Sequence, residues 1–411
     1  MNGAGLSLMW AGLGTLLALA TLPGTLELLL LTIGGLLPPR RRGDGRSAGS
    51  AVRLAVVVPA HNEESGIARC VAGLSAAARE AVGPAWDNRP DGPLAIVVVA
   101  DNCADATAAR AREAGARVLE RTDTERRGKG YALEFAFGRL LAEGYDAVAV
   151  VDADTVVEPN VLAAMCGLLA EGADAVQTRY GVLNAAASLR TRLMNVALLA
   201  FNVLRPRGRE RWGLSVGIFG NGFALARGTL AAVPYDAHSV VEDLEYHLRL
   251  VRAGRAVRFA DAATVRADMP VGGRGVETQR ARWEGGRFRM IIDTVPMLAG
   301  AVVRGQWRLL EPLFELLLLP LAFHVALLVL TALVPFAPSQ WYALAAIALV
   351  ALHVVAGIVV GGGSWRDLAA LAVAPAYVVW KLALAPAIAR ASRRKTEWVR
   401  TERHTSAEDR R

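Results

Sequence analysis

The 411-residue chain is 54% hydrophobic and 20% charged, and its 46 Lys+Arg against 38 Asp+Glu give a net charge of +8. A disordered or fibrous chain is excluded, and a mean hydropathy of +0.33 is too apolar for an ordinary soluble enzyme. The length suits two or three structural units, and the composition suits a membrane protein with a soluble part. The basic residues lie in small clusters beside apolar segments, which favours an anionic lipid surface over nucleic acid as partner. Cys70, Cys103 and Cys166 are odd in number, far apart and without CxxC spacing, which fits a reducing compartment and argues against a disulfide framework or a zinc site.

Residues 5–38 are apolar except for Glu27, and Arg40, Arg41 and Arg42 follow at once. One tilted or kinked membrane span is expected there, in preference to two short spans hinged at Pro23-Gly24. A secretory signal peptide is disfavoured because no Lys or Arg precedes the run. Positive-inside bias then places residues from about 40 to 308 in the cytoplasm.

From residue 53 the pattern changes. Apolar, β-branched runs at 53–59, 94–100 and 147–151 are separated by Ala-rich helical sequence, which predicts a Rossmann-like α/β fold with a parallel sheet covered on both faces. Ligands of such sheets collect at the carboxyl ends of the strands. Here those ends read His61-Asn62-Glu63, Asp101-Asn102-Cys103-Ala104-Asp105 and Asp152-Ala153-Asp154. The first turn lacks GxGxxG and Arg127-Gly128-Lys129-Gly130 lacks the P-loop pattern, so a dinucleotide dehydrogenase and a P-loop kinase are both excluded. Asp152 and Asp154 sit at one backbone corner, suited to a divalent cation that keeps water and phosphate among its ligands; capping of the next helix by Asp154 is the bland alternative.

Glu242-Asp243 opens a helix expected over 241–253, where a carboxylate facing the cleft is favoured by the helix N-terminus. Gln279, Arg282 and Trp283 lie at i, i+3 and i+4 and share one helical face. Arg282 offers a planar fork to phosphate and Trp283 a ring for a sugar, the alternative being a Trp packed on the sheet beside a solvated Arg. Gly220-Asn221-Gly222 permits close approach of a sugar or makes a tight turn. Residues 288–307 mix apolar side chains with Arg289, Arg304 and Trp307, as an interfacial amphipathic helix would. No Lys or Arg lies between Arg308 and Arg366, and two spans are expected at 311–335 and 339–360. Segment 368–389 carries Lys381 and precedes a basic tail; it reads either as a third span or as an interfacial, re-entrant piece.

The motifs VVVPAHNEE (56–64), VVVADNCADAT (97–107), RGKGYAL (127–133), VVDAD (150–154), FGNGFALARG (219–228), VVEDLEYHLRL (240–250) and QRARWEGGR (279–287) resemble those of inverting family-2 glycosyltransferases of GT-A fold, the group that contains cellulose, chitin and hyaluronan synthases. The resemblance implies transfer of a sugar from a nucleoside-diphosphate donor, most often a UDP-sugar, to a glycan or lipid acceptor with Mg²⁺ or Mn²⁺. It implies that His61, Glu63, Asp101, Lys129 and Asp152 meet the nucleotide-sugar and that Asp152 and Asp154 hold the metal. Asp243 is then the general base, Glu242, Asn221 and Trp283 face the acceptor, and Gln279, Arg282 and Trp283 serve the leaving group. His61 stands where many relatives have a tyrosine that stacks on the nucleoside.

The expected organisation is an N-terminal span with basic anchor (1–42), a cytoplasmic GT-A domain (50–287), the interfacial helix (288–307), two or three spans (308–390) and a basic tail (391–411). The expected location is the plasma membrane. With so few spans to enclose a channel, a single transfer to a lipid stands beside processive synthesis, and an oligomer or an accessory export partner would supply what one chain lacks. An inactive protein that binds nucleotide-sugar or glycan is a further alternative.

Overall fold

The computed structural model describes residues 3–38, 52–237, 239, 241–271 and 274–393, the side chains of 3–4, 274–282 and 391–393 excepted. The basic triplet after residue 38 and the tail beyond 393 lie outside the described residues. The N-terminal apolar run is one helix, α1 (Gly3–Leu36), which continues through Pro23. Proline removes one backbone donor. On either side of it the hydroxyls of Thr21 and Thr25 bond back to the carbonyls of Leu17 and Thr21, both at 3.0 Å.

The soluble part begins with β1 (Leu54–Ala60), α2 (Ile67–Val82), β2 (Leu94–Asp101), α3 (Thr107–Glu113), β3 (Arg117–Arg121), α4 (Lys129–Ala142) and β4 (Ala147–Val150). These four strands are parallel in the order β3-β2-β1-β4, with Val57 level with both Val97 and Val150. Alternation sorts β1 between two cores. Leu54, Val56 and Val58 pack with α2, whereas Ala55 and Val57 face Leu133, Ala136, Phe137 and Leu140 of α4. All three predicted strands are therefore present.

Beyond β4 the sheet becomes mixed, in keeping with the expected GT-A, mostly parallel sheet. After β5 (Thr155–Val157), α5 (Val161–Ala170) and β6 (Ala175–Val182) come α6 (Leu189–Leu199), a π-helical turn (Ala200–Leu204) and α7 (Arg205–Trp212), which form one rod. The strand β7 (Phe223–Ala226) inserts antiparallel between β4 and β6. Then follow α8 (Arg227–Ala232), α9 (Glu242–Arg252) and β8 (Val257–Ala267), giving the order β3-β2-β1-β4-β7-β6-β8-β5. The sheet is thus mixed and mostly parallel, the α/β arrangement expected in outline.

The α6–α7 rod joins this domain to the apolar helices. Gly208 lets it meet the backbone of Leu31 on α1, and Trp212 Nε1 donates to Leu30 O at 2.9 Å. Arg209, 1% exposed, pairs with Glu27 of α1 at 3.2 Å.

Two expectations for the C-terminal part need correction, and one left open between two readings is narrowed. First, 288–307 is no separate element, because α10 (Arg274–Val303) is one helix that carries Gln279, Arg282 and Trp283 as well. Second, 311–335 is no straight span. It is α11 (Leu310–Leu317) and α12 (Leu321–Leu333), bent by 79° at Pro320. Proline drives its predecessor out of the helical region and ends the first helix. Third, 368–389 holds no helix long enough to cross a membrane: after α13 (Ala337–Val360) come α14 (Trp365–Ala370), α15 (Ala374–Ala383) and α16 (Ala385–Arg393), broken near Pro375 and Pro386. Among the described residues two helices, α1 and α13, are long and apolar enough to span, or three if the bent pair counts as one.

Arg209 also meets Glu311 at 2.5 Å and Glu315 at 3.4 Å on α11. Removing one member of a buried charge cluster strands the others. Arg209→Met is expected to cost about 3–5 kcal/mol, read as a lower unfolding midpoint in detergent; an unchanged midpoint would show that the cluster does not hold α1 and α11 to the domain.

Candidate active site

The turn after β4 is built by backbone bonds. Val151 N–H still reaches Val57 O at 3.1 Å, and Thr155 N–H closes on Asp152 O at 3.0 Å, so Asp152 and Asp154 share one corner. Asn221, 1% exposed, braces that corner: its Oδ1 accepts from Asp152 N–H at 3.1 Å and its Nδ2 donates to Thr155 Oγ1 at 2.8 Å. The amide is turned into the fold, which corrects the expectation that it faces an acceptor. Its neighbours Gly220 and Gly222 adopt φ of +76° and +67°, and a Cβ on Gly222 would strike Thr178. Only glycine suits such positions without strain.

Lys129, the first residue of α4, reaches across the cleft. Its Nζ pairs with Asp152 Oδ1 at 2.5 Å and donates to Gly220 O at 2.5 Å. Burial works to lower its pKa, but Asp152 and then Glu242 outweigh that and raise it. Lys129 is therefore a paired charge inside the cleft and not a solvated loop residue. Asp243 completes the arrangement, for its Oδ2 lies 3.3 Å from where a Cβ of Gly220 would stand. One short path thus joins Asp152, Lys129, Gly220 and Asp243. Burial pushes Asp243 up, against the opposing bond from Leu244 N–H, and pushes Glu242 up to about 7 with Asp243 as the next cause. Cys70 closes the back of the corner, its thiol 3.5 Å from Asp152 O and pushed up to about 12 by burial and then Asp154, so it is an inert neighbour.

The other strand ends form a second lobe. His61 Nδ1 lies 2.8 Å from Asp101 O, and Glu63 N–H donates to Thr107 Oγ1 at 2.8 Å. Asp101 is 6% exposed, and its Oδ1 accepts from Arg121 at 2.6 Å and from Asn102 Nδ2 at 3.1 Å. Asn62 and Asn102 take left-handed φ of +55° and +52°, and their side-chain oxygens accept from Ala104 and Asp123 N–H. Sequence reasoning missed Arg121, and it missed these two asparagines as left-handed corners. The asparagine after each strand was the available signal, since its short amide tolerates that region.

The helix α10 comes against the acidic helix start at Gly286, where a Cβ would stand 2.8 Å from Val241 Cγ1. Trp283, one turn earlier, is 37% exposed and available to a ligand. The side chains of Gln279 and Arg282 lie outside the described residues. Asp152 and Asp154 share the turn after β4, and among the described residues no group of three or more His, Cys, Asp or Glu side chains gathers as a metal cage. Two carboxylates on one turn suit an ion completed by water and phosphate oxygens.

A model of the family described as "Glycosyltransferase like family 2" matches residues 52–286, more than half of the chain. The probable glycosyltransferase YdaM of Bacillus subtilis is 28% identical over 249 residues, 58% of this chain and 56% of that protein. The low-salt glycan biosynthesis hexosyltransferase Agl6 of Haloferax volcanii is 35% identical over 122 residues, 30% of this chain and 26% of that one. The chain thus spans about half the length, or less, of these curated relatives. Among solved structures, the mannosyltransferase PcManGT from Pyrobaculum calidifontis, in complex with GDP-Man and Mn²⁺, has a TM-score of 0.51 and 19% identity, covering 94% of this chain and 97% of that one. At that identity the likeness shows the fold.

The raised Glu242 carries a stability consequence. Between its ordinary 4.5 and about 7 the folded protein holds a proton that the unfolded chain has released, so stability falls as pH rises through that window. Glu242→Gln is expected to flatten the dependence of the unfolding midpoint on pH and to raise that midpoint near pH 8 above wild type. Parallel curves for the two proteins would refute the assignment.

Proposed function

The chain belongs to glycosyltransferase family 2, and from that premise we propose that it transfers a sugar, with inversion, from a nucleoside-diphosphate donor to an acceptor held at a membrane. The observation that carries the proposal is the path Asp152–Lys129–Gly220–Asp243, which brings a diphosphate site and a base into one cleft.

In this reading Asp101, with Oδ1 fixed by Arg121, His61 and Glu63 receive the nucleoside, and Asp152 and Asp154 hold Mg²⁺ or Mn²⁺. The ion, when bound, neutralises charge that grows on the diphosphate as it leaves. Lys129 adds a fixed cation at the same place, and Arg282 and Gln279 are assigned to the diphosphate from α10. The acceptor oxygen attacks C1, Asp243 takes its proton, and the C1–O bond to the diphosphate breaks with its electron pair going to the leaving group. Trp283 gives the acceptor a ring to stack on, Glu242 lies beside the base, and Asn221 positions the metal turn. The candidate spans α1 and α13 anchor the enzyme, with the catalytic domain on the cytoplasmic side. Two apolar helices and one bent pair offer few walls for a channel, which favours a second reading of the same site, one transfer to a lipid.

The deciding experiment incubates the full chain in detergent with a panel of UDP- and GDP-sugars and measures nucleoside diphosphate released with Mg²⁺, with Mn²⁺ and with chelator. Metal-dependent release from one donor is expected; no release from any donor would overturn the reading. A ladder of products marks processive synthesis and a single glycolipid marks one transfer.

Asp243→Asn is expected to lower turnover by about 10²–10⁴-fold with nucleotide binding unchanged, and survival of more than about a tenth of the rate rules the residue out as base. Because burial raises Asp243, the acid limb of kcat/KM is expected above the ordinary aspartate value of 3.8, with activity lost as pH falls through it. A profile flat down to about pH 4 would contradict this.

A further inference from the structure

Lys381 lies in the middle of an otherwise apolar segment, and its partner explains why. Its Nζ meets Glu284 Oε1 at 2.5 Å, and the two side chains are 12% and 11% exposed. Glu284 follows Trp283 directly and precedes by two residues Gly286, the point where α10 touches Val241 beside Glu242 and Asp243. A buried carboxylate on that turn needs counter-charge; Arg287 on the same helix interacts with it, and the C-terminal segment adds a direct pair.

The same segment is fastened at its other side to the catalytic domain. The guanidinium of Arg190 lies 4.9 Å from the ring centroid of Trp380, next to Lys381, and Asp367, 4% exposed, pairs with Arg192 at 3.5 Å. Arg190 and Arg192 are in the first turn of α6, and Asp367 is itself held by Ser364 N–H and Oγ at 2.7 Å each. Residues 364–381 therefore bridge α6 to α10 by polar contacts at each end.

We propose that residues 364–383 form a strap that fixes the Trp283 turn of α10 against the Asp243 helix, with Lys381 and Glu284 as positioning residues for transfer. The strap rests on the transferase reading for its consequence, but its existence does not depend on it. Losing the Lys381 charge frees Glu284 to turn toward water, and the α10 turn moves with it. The nucleoside end of the donor site is built on β1, β2 and β4 and keeps its contacts, so the effect falls mainly on acceptor use and turnover, through the α10 residues that face the acceptor and the diphosphate.

The test is Lys381→Met in the full chain, read by backbone hydrogen exchange and by kinetics. Exchange is expected to quicken in peptides covering 277–290 and to stay unchanged in β1 and β4. Transfer is expected to fall by up to about 10²-fold, as misplacement by an ångström can cause, and nucleoside-diphosphate binding to weaken by less, since only the contacts from α10 shift while Asp152 and Lys129 keep their place. Lys381→Arg, and the exchanged pair Glu284→Lys/Lys381→Glu, should restore both readouts in part. Unchanged exchange at 277–290, or an exchanged pair no better than either single variant, overturns the strap. Quicker exchange with unaltered acceptor KM and kcat overturns the positioning role. If wild type releases nucleotide from no donor, the transferase reading fails, and the exchange measurement alone still decides whether the strap exists.

Discussion

The ammonium of Lys129 is the interaction on which the cleft depends. Asp152 and the adjacent pair Glu242-Asp243 come from separate parts of the chain, and the charge of Asp152 adds to the cost of ionising both members of that pair when water is scarce. Lys129 relieves that crowding by touching Asp152 and facing the other two, and its bond to Gly220 O keeps the glycine loop close to Asp243. The cleft thus holds one fixed cation among three carboxylates.

A second charged knot does different work. Arg209 meets Glu27, Glu311 and Glu315, so α1 and α11, far apart in sequence, are held to the α6–α7 rod. Small residues bring the backbones close enough for this: Gly208 against Leu31, and Gly357 of α13 against Ala200. Charge in a low-dielectric setting is tolerated when paired, and here the pairing decides which helices the catalytic domain stands on. The Lys381–Glu284 pair repeats the principle beside Trp283.

Much of the site was legible in the sequence because its residues follow strands or open helices. A β-branched run followed by Asp-x-Asp, or an apolar run followed by His-Asn-Glu, announces a strand end and its polar tip, and β1, β2 and β4 lie where those runs predict. Asn221 was readable as a loop residue but not as a brace, since its partners Asp152 and Thr155 lie some 66 residues and more away in the chain. Arg121 escaped notice for the same reason: one of two arginines in a short strand gives no sign that Asp101 is its partner. The break in 311–335 had its cause in view at Pro320, whereas the continuity of α10 past residue 288 did not, because its apolar and polar stretches read as two elements.

By itself the sequence determined the α/β class, the acidic strand ends, the two long apolar helices and the family, all of which are properties of local pattern: period, run length and residue type at a turn. Only the tertiary structure decided that Asp152 and Asp243 share a cleft, that Asn221 faces inward, and that Lys381 pairs with Glu284 of α10. The reason is physical. Which charges neutralise one another depends on distance and on the water excluded between them, and both are set by how the sheet and helices pack.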